Sequence, residues 1–118
     1  MKSFILAALL LAFVSCKKNC DDSTPINGKV VYKSCASVVI QVTDSSHFYL
    51  GENGWQQGPT KAPLNHVFKV LNPCKFADIP EGQAITFCLV NDPSWRDCVV
   101  CAMLDNAPRT THDIKVIR

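Results

Sequence analysis

Hydrophobic and polar positions alternate differently in two parts of this chain. After a single charge at Lys2, residues 4–14 are apolar without interruption, a run of 11. A membrane-spanning helix needs roughly 20 such residues. A charged start, a short apolar core and the small Ser15 at its end form the pattern of a secretory signal. From Ile26 onward the pattern is that of β-strands. Residues 28–34 (GKVVYKS) and 37–44 (SVVIQVTD) are rich in β-branched side chains. Residues 47–50 (HFYL) predict a short third strand, and 51–63, with three glycines and two prolines, a long loop. In residues 66–72, Val67, Lys69 and Leu71 share one face, and His66, Phe68 and Val70 the other. Residues 84–90, 98–104 and 112–117 predict further strands. No long window carries a helical stripe. Five to seven short strands between turn residues predict an all-β domain over 26–118, as a barrel or a sandwich.

Residues 79–90, IPEGQAITFCLV, place a Pro-Glu-Gly turn before an alternating strand. This stretch resembles a strand of OB-fold proteins. The resemblance implies a small, disulfide-stabilised, OB-like barrel, with a β-sandwich as the alternative.

The end of the apolar run reads FVSCKK, with Cys16 directly after Ser15. This resembles the lipobox of bacterial lipoproteins, although Phe13 stands where that family usually has Leu. The residues that follow are similar to lipoproteins of Bacteroidota. The resemblance implies a signal peptide over 1–15, cleavage before Cys16 and acylation of its thiol. It also implies a place in the cell envelope, at the outer membrane, facing the periplasm or the surface; Asp21 and Asp22 form a short version of the acidic run associated with surface export in that group. Two or three acyl chains hold a protein stably where one does not, and Lys17 and Lys18 would meet anionic headgroups. Residues 16–25 then form a lipidated N-terminus and polar tether. Within it, Asp22-Ser23-Thr24 resembles the short O-glycosylation signal of that group, with Ser23 or Thr24 as acceptor.

Cysteine parity agrees with the anchor. The chain has seven cysteines, at 16, 20, 35, 74, 88, 98 and 101. With Cys16 lipidated, six remain for three disulfides in an oxidising compartment. If 84–91 and 98–104 form a hairpin, Cys88 faces Cys101, or Cys98 in the competing register. Cys35 would join Cys74, and Cys20 the remaining thiol, clamping the tether to the barrel. Six cysteines allow 15 pairings, so the connectivity stays open.

Cleavage after Ser15 leaves 103 residues with a formal net charge of +1. Such a balance gives no basis for a nucleic-acid partner. Cys98-Val-Val-Cys101 matches C-x-x-C, but the two valines favour a strand over the helix N-terminus that lowers a redox thiol's pKa. His47, His66 and His112 are scattered singly and no second cysteine pair stands at a zinc spacing, so neither metal nor cofactor is expected. No hydrolase motif brings a nucleophile and base together. Trp55 and Trp95 lie in loops among polar residues. One reading makes them caps on the two ends of the barrel. The other makes them a ligand surface with Asn53, Gln56 and Arg96. The sequence therefore predicts a lipid-anchored, non-catalytic binding or structural module whose partner is the membrane and an envelope protein or carbohydrate. The alternatives are a thiol-disulfide redox protein using Cys98 and Cys101, and a secreted protease inhibitor presenting 51–63.

Overall fold

A computed structural model describes Cys20 and residues 23–117. The segment 1–15 expected to be a signal peptide, Cys16, and Asp21 and Asp22 lie outside the described residues. The strands are β1 (Ile26–Lys33), β2 (Val38–Val42), β3 (Val67–Val70), β4 (Ala84–Leu89), β5 (Thr111–His112) and β6 (Ile114–Val116). They form a single sheet in the order β5-β3-β2-β1-β4-β6, curled into a half-barrel. All pairs are antiparallel except β3 with β5. Its edge strands β5 and β6 are neighbours in the chain, separated by Asp113, so one C-terminal stretch borders both edges. The fold is thus all-β, a small disulfide-stabilised half-barrel made of one curled sheet, rather than the two packed sheets of a sandwich.

Two local features curl the sheet. The register of β1 against β2 shifts between Val30 and Tyr32, a β-bulge that bends the strand. Gly28 sits where β1 pairs with both β2 and β4; a Cβ there would lie 2.9 Å from the Gln41 carbonyl and 3.0 Å from the Phe87 ring. The turn predicted before β4 is present: Gln83 N–H donates to the Pro80 carbonyl, and Gly82 takes the positive φ of 91° that this turn needs.

Strand alternation sets the core. Val38, Ile40 and Val42 of β2, Phe68 and Val70 of β3, and Ile85 and Phe87 of β4 point inward together with Ile26, Val30 and Ile114. Phe68 meets Phe87 edge-on at 5.7 Å and His112 at 4.9 Å. Neither Trp55 nor Trp95 belongs to this core. Leu50, from the turn joining β2 to β3, and Phe76 and Ile79, from the turn joining β3 to β4, complete this core. The reading of Trp55 and Trp95 as barrel caps is corrected accordingly.

Two segments, 47–50 and 98–104, depart from the predicted strands, and a third, 112–117, is divided at Asp113 between β5 and β6. Residues Ser45–Leu50 form a 3-10 turn, whose first carbonyl partner is Asp44. Residues Pro93–Asp97 form another, and 98–104 belong to neither a helix nor a strand. The expected hairpin between β4 and 98–104 is therefore absent, and the expected disulfides fall with it. The bonds are Cys20–Cys88, Cys35–Cys101 and Cys74–Cys98. Neither Cys88–Cys101, Cys88–Cys98 nor Cys35–Cys74 forms. The clamp of the tether by Cys20 does form, with Cys88 on β4 as its partner.

A stapled strap as candidate binding surface

The outer face of β2 and β3 carries Val39 and Val67 as neighbours. Two apolar side chains side by side on an outer face need a cover, and the chain supplies it. The loop after Gly51 folds back on itself through paired hydrogen bonds between Trp55 and Leu64, which lays the Trp55 ring over Val39 and Val67. Val31, Tyr32 and Leu64 border this second cluster, with Tyr32 edge-on to Trp55 at 6.1 Å. Trp55 is only 6% exposed, and its indole N–H donates to the Asn106 carbonyl at 2.7 Å.

That last bond belongs to the strap, residues 98–110, which crosses the barrel's outer surface. Its fastenings are unlike those of a strand. Cys98 is bonded to Cys74 after β3, and Cys101 to Cys35 in the β1–β2 turn. The Asp105 carboxylate accepts from the hydroxyls of Ser34 at 2.6 Å, Ser37 at 2.9 Å and Tyr32 at 3.3 Å. Asn106 donates its side-chain N–H to the Gln56 carbonyl, and Thr110 N–H donates to Glu52 at 2.8 Å. Burial alone would raise the Asp105 carboxyl. The bonds from Ser34, Ser37 and Tyr32, with the Lys69 charge, outweigh it and hold that carboxyl below the ordinary aspartate value.

Between these fastenings the strap turns apolar side chains outward. Val99 is 91% exposed and Leu104 fully exposed, with Val100 and Met103 about half exposed. Beside Cys98 lies a groove of about 220 Å³ lined by Lys69, Leu71, Trp95, Arg96 and Val100. The Arg96 guanidinium stands 5.6 Å from the centre of the half-buried Trp95 ring.

The residues singled out from sequence thus separate. Trp55, Asn53 and Gln56 hold the loop and strap: Asn53 accepts from His66 N–H at 3.2 Å, and Gln56 donates to the Lys61 carbonyl at 2.8 Å. Trp95 and Arg96 line the groove. The histidines serve the frame, with His66 stacked on Phe48 at 3.7 Å, His112 bonded to the Leu50 carbonyl and His47 bonded to Ser46. Ser23 bonds the Leu89 carbonyl, while Thr24 is exposed. Sequence reading missed Asp105 and the exposed run of the strap. The signal was present in CVVCAMLD, where the apolar residues do not alternate and a carboxylate follows.

No protein-family profile matches this chain, and no characterised protein matches it in sequence. Among the described residues no helix is long and apolar enough to cross a membrane.

Proposed function

We propose that this chain is a lipid-anchored protein of the cell envelope, held through Cys16, that works as a non-catalytic binding module with an envelope protein as partner. One observation carries this reading: the strap is fastened by two disulfides and a carboxylate network, yet turns Val99, Val100, Met103 and Leu104 to solvent. Rigid loops bind with less ordering cost than mobile ones, and exposed aliphatic clusters mark interaction surfaces. With Cys16 lipidated, the Cys20–Cys88 bond would keep the barrel near the anchor, because four residues from Cys16 to Cys20 span at most about 14 Å. The barrel would then sit close to the headgroups on its β4 side, with the strap on the outer face of β1 to β3. The redox alternative loses support, since Cys98 and Cys101 belong to different disulfides.

Intact mass of protein extracted from native membranes, unreduced and treated with a thiol-alkylating agent, tests the anchor. A lipid-sized addition on Cys16 with no alkylation is expected; an unmodified Cys16 or alkylated Cys98 and Cys101 would sink the reading. For the module, Val99→Ser with Leu104→Ser should abolish binding to an envelope partner without lowering thermal stability.

A further inference from the structure

The strap contains one segment of unusual geometry. Cys101 is bonded to Cys35, and Asp105 is bonded to Ser34 and Ser37. Both feet of the segment therefore stand on the same β1–β2 turn, residues 34–37. Ala102, Met103 and Leu104 arch between them, all exposed and without helix or strand. Beyond the second foot, Asn106 is held from both sides, by the Trp55 indole and by the Gln56 carbonyl.

We propose that residues 101–106 are an inhibitory loop for a serine endopeptidase whose primary pocket takes an aliphatic side chain, with Leu104 entering the pocket and the Leu104–Asp105 peptide bond at the catalytic serine. This rests on the binding-module reading and names its partner class. The features behind it are physical. An endopeptidase binds an open stretch of chain with one side chain in a pocket, and Leu104 is the fully exposed aliphatic residue between the feet. A flexible substrate loses freedom on binding, whereas this stretch is already tied at both ends. The loop expected from sequence, 51–63, is less suited, since its Trp55 is buried and paired to Leu64.

The feet also explain how such a loop resists turnover. The serine oxygen would attack the Leu104 carbonyl carbon while its proton passes to the protease base. The C–N bond then breaks, the base returns that proton to the Asp105 nitrogen, and an ester to the Leu104 acyl group forms. In an ordinary substrate the amine leaves and water hydrolyses the ester. Here the amine stays in place, because the Asp105 side chain is bonded to Ser34, Ser37 and Tyr32, and Asn106 to Trp55 and Gln56. The Cys35–Cys101 bond holds the acyl side. Held adjacent, the amine attacks the ester at high effective concentration. The peptide bond re-forms and the serine regains its proton, with nothing consumed. A metalloendopeptidase forms no acyl-enzyme, so this retention would not protect the loop from it.

The test uses the full oxidised chain in mild detergent against chymotrypsin-like, elastase-like and subtilisin-like endopeptidases, with a trypsin-like and a zinc endopeptidase for contrast. Competitive inhibition of one or more of the first three, with an inhibition constant below about 1 µM, is expected; the zinc enzyme should be unaffected. Leu104→Gly should weaken inhibition by about 100-fold, and Leu104→Arg should transfer it to the trypsin-like enzyme. Position 104 is solvent-exposed, so circular dichroism should be the same for both variants. Absence of inhibition, rapid cleavage after Leu104 as a plain substrate, or inhibition indifferent to both substitutions would overturn the proposal. A photo-crosslinker at Leu104 in intact envelopes separates the two readings. Saturable capture of a non-protease partner, lost in the Val99→Ser, Leu104→Ser double variant, overturns the inhibitor and keeps the module; no capture with no inhibition removes both.

Discussion

The barrel and its strap are built from the same apolar vocabulary and held by opposite means. In the barrel, Val, Ile and Phe face inward at alternate positions and the backbone is satisfied strand to strand. In the strap, Val99, Val100, Met103 and Leu104 face outward, and order comes from covalent bonds and a few side-chain hydrogen bonds. The lesson is that apolar residues stabilise only where they are buried. Where they are exposed, other groups must hold the chain, and the apolar surface remains open for a partner.

That contrast can be broken first at the barrel. Phe68 is fully buried between Phe87 and His112, and Phe68→Ala should cost about 3–5 kcal/mol, lowering the denaturant midpoint of the whole domain. Replacing Cys35 and Cys101 together by Ser should cost about 2–4 kcal/mol. It should also speed hydrogen exchange in 101–106 far more than in β2, and equal acceleration in both would contradict the separate fastening of the strap.

Asp105→Asn should be milder, about 1 kcal/mol, because the site is only half-buried and an amide oxygen still accepts one bond. Limited proteolysis within 102–105 should rise while unfolding of the barrel barely moves. The same carboxylate gives a pH dependence. Its folded value lies below the ordinary one, so its contribution is fully present above that ordinary value, about pH 4, and is lost as pH falls through the lower folded value. Amide resonances of Met103 to Asn106 should therefore broaden on acidification below that point, and Asp105→Asn should remove the transition. Least of all, Leu104→Ser should change stability by under about 0.5 kcal/mol, so any loss of binding by this variant reports on the surface alone.

Local chemistry made much of the barrel legible. β-Branched runs located β1, β2, β3 and β4, and Pro80-Glu81-Gly82 located the turn before β4, because strand alternation and a positive-φ glycine leave marks within a few residues. The same rules failed at 47–50 and 98–104. Short apolar stretches look alike whether they pair with a neighbour or not, and pairing is decided by residues distant in the chain. Phe48 and Leu50 belong to a 3-10 turn, where Leu50 is buried in the core and Phe48 packs against it.

The residues of the chain by themselves determined the all-β class and the seven cysteines, from which at most three bonds can form. Only the tertiary structure decided which thiols meet, since disulfide geometry requires approach within a few ångströms and Cys35 meets Cys101 across 66 positions. It likewise decided that Trp55 is buried outside the main core, that Asp105 gathers three hydroxyls, and that Leu104 is left facing solvent. Each depends on contacts between residues distant in the chain, which no local pattern encodes.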